Sequence, residues 1–344
     1  MKALLKDLAY RSGALGALHR WRNRRQLTVA MFHRVLPASD PRHAGADPEW
    51  TMTPASFERC LQFFQRHYRI VTPAQVFAAL RGGAPLPGRS MLVTFDDGWA
   101  DTAEFAQPIL TRHRIPALIF VAGCAIDSRA PFWEEHLYSV LATQGGAMAA
   151  LAAELARHGV SDPLPRASHE DAIRAAIGLV GRQDAAVRQA VLAAFALDAH
   201  APAAMMTQAQ LRGLTEAGLA VGGHGMQHVP LTRAPDVNAE LAQAQACVAR
   251  HLGVAAVESM SFPHGAQSAQ VVAACRQAGY RYLFSSAAEL VTLHPGQATE
   301  ASIGRIHISE RAIVDEGGRF SPARLATWLF LRPVWDAATG ARHG

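Results

Sequence analysis

The 344-residue chain has no apolar run near the ~18 residues needed to cross a bilayer, so no transmembrane segment is expected. Cysteine is scarce. Cys60, Cys124, Cys247 and Cys275 lie far apart with no CxxC pair. That spacing argues against a disulfide framework or a thiolate zinc cluster and suits buried thiols in a reducing compartment. Aromatics make up only 7% of residues, and no basic patch interleaves with them outside the N-terminus, so no nucleic-acid partner is expected. Nor does the start resemble a secretory leader. The apolar stretch Gly13–Leu18 is short and runs into further arginines, not into a small-residue cleavage site. A cytoplasmic location is the expectation.

Surplus charge is confined to one place. The formal net charge is +5, and residues 1–34 hold Lys2, Lys6, Arg11, Arg20, Arg22, Arg24, Arg25 and Arg34 against the single acid Asp7. Within them Leu4, Leu8, Leu15, Leu18 and Trp21 recur at helical spacing. A basic amphipathic segment is therefore expected over residues 1–26. It either lies peripherally on anionic lipid at the inner membrane or packs on the protein's own flank with its arginines solvated.

What the chain does have is alternation. Half of its residues are hydrophobic, enough for a sizeable core. From residue 27 onward, β-like runs at Leu27–Phe32, Ser90–Phe95, Ala117–Ala122, Leu219–Gly222, Glu258–Phe262, Tyr280–Phe284 and Ile303–Ile308 are separated by helical patterns. Those patterns include Pro54–His67, Pro73–Leu80, Thr102–His113, Val237–Leu252 and Ser268–Ala278. Seven strands alternating with helices predict an α/β fold, a distorted (β/α)7 barrel occupying residues 27–344. The alanine-rich block at about 131–206 carries no strand pattern. It reads as a helical insertion between the third and fourth strands, broken at Gly145–Gly146, Pro163–Pro165 and Gly181. After a closing helix at Pro322–Leu331, a frayed tail is expected.

In such barrels functional side chains sit at the C-terminal ends of strands, and four polar groups fall there. The run Leu92–Phe95 ends in Asp96-Asp97-Gly98. Two adjacent carboxylates at a glycine turn can face apart, one binding a metal while the other takes a proton, although DDG is also an ordinary turn. Gly222-Gly223 leads into His224 and His228. At i and i+4 on one helical turn both imidazoles could reach one ion, the glycine pair and the following proline argue for a structured loop opening into a turn, or the pair is incidental. Phe262-Pro263-His264-Gly265 closes another strand and offers backbone N–H groups to an oxyanion, or is a plain strand-to-helix loop. His33, ending the first strand, could be a general acid near neutral pH or a core histidine. All four converge on one predicted mouth. One carboxylate and two imidazoles leave coordination positions open, the mark of a catalytic site and not a structural one.

These residues resemble the polysaccharide deacetylase family, the nodulation-protein-like carbohydrate esterases. TFDDG stands at Thr94–Gly98, the HxxxH pair at His224–His228, a variant aromatic-proline loop at Phe262–Gly265, and MFHRV at Met31–Val35. That last motif is nearest to poly-N-acetylglucosamine deacetylase-like members. The resemblance implies Asp96 as catalytic base and Asp97, His224 and His228 as ligands of a divalent metal, with zinc the usual ion. It also implies an oxyanion contact near Phe262, Pro263 and His264, and His33 as general acid. Two departures stand out. Gly225 replaces the usual hydroxyl residue after the first histidine, and no arginine leads the third motif. Arg305 is the candidate partner for Asp96. The late Leu-x-His motif is only echoed by Arg305-Ile306-His307, which makes His307 the alternative general acid and His294 a weaker one. The implied activity is removal of N-acetyl groups from a sugar, in a glycan or a precursor used in surface-polysaccharide biosynthesis. A hydrolase of non-carbohydrate C–N amides and a non-catalytic glycan-binding relative are the alternatives.

Overall fold

The computed structural model describes residues 2–160, 169–195, 202–293, 302–336 and 341–343. Seven strands carry the site: β1 (Gln26–Phe32), β2 (Ser90–Phe95), β3 (Ala117–Val121), β4 (Ala220–Gly223), β5 (Ser259–Ser261), β6 (Tyr282–Phe284) and β7 (Ile306–His307). They run parallel, β1 beside β2, then in order to β6, with β7 on the other side of β1. Phe284 of β6 makes a parallel bridge to Ile303, just ahead of β7. The sheet therefore curls round on itself in an α/β fold. Every residue of β2 and β3 is buried, which is why both read as unbroken apolar runs and not as alternating ones.

The helices begin where local chemistry stops the extended chain. Thr53 accepts a hydrogen bond from Ser56 N ahead of Pro54–His67, and Thr72 and Gln75 close a reciprocal capping box ahead of Pro73–Leu80. Between β3 and β4 lie the helices Trp133–Thr143, Ala147–Arg157, His169–Arg182 and Ala185–Ala193. They have a core of their own that includes Leu137, Leu151, Ile173, Val180 and Val191. The expected break at Gly145–Gly146 separates two helices, Gly181 falls in the last turn of one, and Pro163–Pro165 lies outside the described residues.

Three expectations need correction. The C-terminal tail is not frayed where it is described. Val334–Asp336 pairs with Leu290–Thr292, itself antiparallel to β1, and Ala341–His343 pairs with Val334–Asp336. The backbone of this Val-Trp-Asp segment finds an open sheet edge to pair with. The last barrel strand is shorter than Ile303–Ile308. It breaks at Gly304, where a Cβ would stand 2.7 Å from Glu289 Cγ and 2.8 Å from the Ala287 carbonyl oxygen. The N-terminal stripe is not one helix face. Gly13, at φ +82°, splits it into helices Lys2–Arg11 and Ala14–Arg22. Leu15 goes into the core while Leu4, Leu8 and Trp21 stay outside.

Candidate active site

The two adjacent carboxylates face apart because the backbone turns between them. Asp97 adopts φ +82° and Gly98 φ +89°. Asp tolerates this left-handed region better than most residues. A Cβ on Gly98 would come within 2.8 Å of Val121 Cγ1, so glycine is required there. Residues 204–206 fasten the turn from outside, with Ala100 N donating to Ala204 O and Met206 N to Gly98 O. They belong to the site's scaffold and not to the helical block.

Asp96 faces Arg305. The guanidinium donates in bidentate fashion, Nη1 to Oδ1 at 2.6 Å and Nη2 to Oδ2 at 2.7 Å, and its Nε donates to Ser285 O. Ser261 Oγ adds a third hydrogen bond to Asp96 at 3.2 Å. Burial alone would raise this carboxyl's pKa, but the charges of Arg305 and His224 outweigh it and hold Asp96 below its ordinary value. It is therefore ionised and fixed in orientation.

Asp97 faces the histidines. Trp99 Nε1 donates to its Oδ2 at 2.8 Å, which leaves Oδ1 at 3.2 Å from His224 Nε2 and 3.3 Å from His228 Nε2. Burial again pushes the carboxyl up, and the two imidazoles pull it well below its usual range. His224 Nδ1 lies 3.0 Å from Ser261 O, to which it donates, and 2.6 Å from Ser261 Oγ. That bond turns Nε2 toward Asp97, and the two neighbouring carboxylates outweigh burial and raise the pKa of the ring. Three such atoms this close repel unless a positive charge, a proton or a metal ion, lies between them. The three donor atoms lie within 4.8 Å of one another, and an N, N, O set with further positions open suits a divalent metal such as zinc. The residues fit the implied ion.

The histidines do not meet in the expected way. Residues 224–230 form an irregular loop and no helical turn. Gly225 at φ +72° and His228 at φ +54° bring the second imidazole back. Glu240 Oε1 accepts from Met226 N at 2.8 Å and Gln227 N at 2.7 Å. This carboxylate, from the helix Val237–Leu252, stabilises the loop that lacks the usual hydroxyl residue. A Cβ at Gly225 would lie 3.1 Å from Pro263 Cγ and 3.3 Å from the same Glu240 oxygen.

A cleft of about 360 Å³ opens over this centre. His33 lines it beside Trp50, with ring centroids 4.5 Å apart, and its Nδ1 is buried without a hydrogen-bond partner among the described residues. Burial lowers the pKa of His33. His307 lies behind these rings, 4.5 Å from Trp50 and 5.3 Å from His33. It is absent from the cleft wall, and burial takes its pKa down to about 3. His294 lies outside the described residues. Phe262 and Pro263 are buried under the floor, and His264, at φ +55°, donates from Nε2 to His228 O at 3.1 Å. The N–H groups of Gly265 and Ala266 are taken by the carbonyls of Phe262 and Pro263.

Several participants were not singled out from sequence. Phe132 stacks on His228 at 3.9 Å. Glu134, Glu135, Tyr138, Arg174 and Ile177 from the helical block line the cleft. Burial lifts Glu134 to about 8 and Glu135 to about 7. Asp101, fully buried, accepts from Arg34 Nε and Val35 N and so fixes the segment after His33 to the one after Asp97. Only Asp101, four residues beyond Asp97, carried a local signal.

Comparison with known proteins bears on the same residues. The chain is 28% identical over 137 residues to the putative polysaccharide deacetylase YxkH of Bacillus subtilis, covering 40% of each protein. It is 38% identical over 63 residues to the poly-beta-1,6-N-acetyl-D-glucosamine N-deacetylase of Escherichia coli, or 18% of this chain and 9% of that one. The matches thus span well under two thirds of either relative. Among solved structures, IcaB from Ammonifex degensii shares the fold with a TM-score of 0.56 at 20% identity, over 89% of this chain and 97% of that one. A sequence model of polysaccharide deacetylases matches residues 83–283, more than half of the chain and the whole stretch from Asp96 to His264. The chain therefore belongs to the polysaccharide deacetylase family.

Proposed function

We propose that this protein is a metal-dependent hydrolase that removes N-acetyl groups from an N-acetylated sugar, in a glycan or a glycan precursor. The observation that carries the reading is the opposed partnering of two neighbouring carboxylates. Asp96 is held ionised by Arg305 while Asp97 shares its free oxygen with His224 and His228. A cation held by the latter three would polarise the acetyl carbonyl and acidify a water. Asp96 accepts that water's proton as it attacks. The backbone N–H of His264 is our candidate donor to the oxyanion. His33, between the cleft and Trp50, returns a proton to the departing amine. Burial lowers the pKa of His33 and favours release of its proton; the proton that Asp96 took leaves to solvent as His33 regains one from solvent. Exposed Trp50 offers a flat apolar face of the kind on which a pyranose ring packs.

The same reading takes the curled sheet as the distorted (β/α)7 barrel and the four helices after β3 as an insertion that shapes the glycan cleft. It takes zinc as the ion and surface-polysaccharide biosynthesis as the setting. The test is acetate release from defined N-acetylated oligosaccharides with and without a chelator. Release that persists in metal-free protein would remove the metal from the reading. Cleavage of simple C–N amides in preference to the sugars would move it to the other substrate class. A His33→Ala protein that keeps its metal but releases acetate at a near-normal rate would hand the proton-donor role to His307.

A further inference from the structure

Away from the cleft, helix Lys2–Arg11 packs against helix Pro322–Phe330 near the C-terminal end of the chain. A hollow of about 280 Å³ there is lined by Lys6, Ala312, Arg324, Thr327, Trp328, Leu331 and Arg332. It has three cations and no acid. None of the three makes an ion pair among the described residues. Arg332 lies over the Trp328 ring at 3.7 Å, and its Nε is buried with no hydrogen-bond partner among the described residues. Burial is the one influence on its pKa, which it lowers, and no carboxylate opposes it. Half-buried Arg332 has thus lost part of its hydration with no counter-charge in its place, and an approaching anion would supply one.

Beside the hollow the surface is apolar. Of eight exposed large hydrophobic residues in the described structure, five lie on these two helices or at their ends: Leu4, Leu5, Leu8, Trp328 and Leu331. Leu4 and Leu8 stand one turn apart and are 73% and 63% exposed. Leu4, Leu5 and Leu8 share a helix with Lys6, and Trp328 and Leu331 line the hollow with the two arginines. Both features are met by one environment, a bilayer whose headgroups carry negative charge.

We infer that the face formed by helix Lys2–Arg11 and the end of helix Pro322–Phe330 docks on anionic membrane lipid. The exposed leucines enter the headgroup–acyl boundary, and Lys6, Arg324 and Arg332 receive a lipid phosphate. A second copy of the chain is a poorer occupant, because pairing this face with itself would set the same cations against one another. Helix Ala14–Arg22 is the rigid mount and not part of the inserting face. Its Arg22 and Asn23 side chains donate to Phe330 O, and its His19 stacks on Phe330 at 4.0 Å. The docking face also adjoins the cleft, because Trp328 Nε1 donates to His307 O at 2.9 Å, and the His307 ring abuts Trp50.

The test is sedimentation of the full chain with vesicles of pure phosphatidylcholine and with vesicles containing phosphatidylglycerol. The chain should bind the anionic vesicles about tenfold more tightly or better, and added salt should weaken that binding. Leu4→Ser/Leu5→Ser/Leu8→Ser and, separately, Lys6→Glu should each lower binding about tenfold, with thermal melting unchanged because these side chains lie on the surface. Equal binding to both vesicle types, no binding at all, or wild-type binding by the leucine variant would overturn the inference. So would a two-chain mass in light scattering that disappears in the leucine variant without any vesicle binding, which would assign the face to a second copy.

Discussion

The mouth of the barrel and the terminal flank handle charge in opposite ways. At the mouth, Asp96, Asp97 and Asp101 are buried, and each has partners fixed at hydrogen-bonding distance. On the flank, Lys6, Arg324 and Arg332 border a hollow with no anion in it, beside leucines turned to solvent. A buried charge without a partner costs several kcal/mol, so each of these three carboxylates at the mouth is paired and held in place for chemistry. The flank sits at the surface, where water tolerates what the interior cannot. Its unmatched features point outward, to something the chain meets.

The largest effects are expected at the mouth. Asp96→Asn should lower acetate release by roughly 10²–10⁴-fold while leaving metal uptake intact. His224→Ala should abolish metal uptake itself, read by elemental analysis of dialysed protein. If both variants lost metal equally, the division of labour between Asp96 and Asp97 would fail. Arg305→Met should cost about 3–5 kcal/mol of stability in denaturant melts, because it strands a buried carboxylate. Asp96→Asn/Arg305→Met together should cost less than Arg305→Met alone, as expected of a coupled pair.

A smaller effect separates the regions by pH. Burial lowers His19 and His67 on the flank to about 4, against 6.5 when free. A group whose pKa is depressed on folding is neutral in both states above about pH 6.5. As pH falls below that, the unfolded chain binds the proton first, so stability should drop between about pH 6.5 and 4. His264 and His307 act in the same direction. His224 works the other way, because Asp96 and Asp97 outweigh its burial and raise it. Melting temperature followed from pH 7.5 to 4.5 should fall, and a flat profile would contradict the neutral burial of these rings. Smallest of all, Asn23→Ala should cost about 1 kcal/mol for its lost bond to Phe330 O. Trp21→Ser, on the 68% exposed ring nearby, should stay within about 0.5 kcal/mol.

Much of this was readable before folding. Ser90–Phe95 appears at its expected bounds, because a central parallel strand has to be apolar on both faces. Asp96, Asp97, His224 and His228 were reached as strand-end polar residues, and Arg305 as the missing cation's replacement. For the HxxxH pair the structured loop after the glycines is present but the helical turn is not. Spacing suggested a helical turn, whereas a positive-φ loop braced by Glu240 brings the rings together. Glu240 is fourteen residues from Met226 and gave no local sign. The same holds for Phe132, Glu134 and Glu135, which enter the cleft from a block whose alanine-rich sequence declares only helix. The amphipathic stripe of the first 26 residues was visible too, but Gly13 divides it between core and surface.

The sequence by itself determined where strands end and which residues there have ligand or proton-transfer chemistry, because period, turn glycines and side-chain type act over a few residues. Only the tertiary structure decided which of those groups share an oxygen, which are kept ionised and which cations stay without a partner. Those outcomes depend on burial and on distances of a few ångströms between residues far apart in the chain, 209 positions in the case of Arg305 and Asp96. Electrostatic interactions grow strong only once folding has removed the water between the partners.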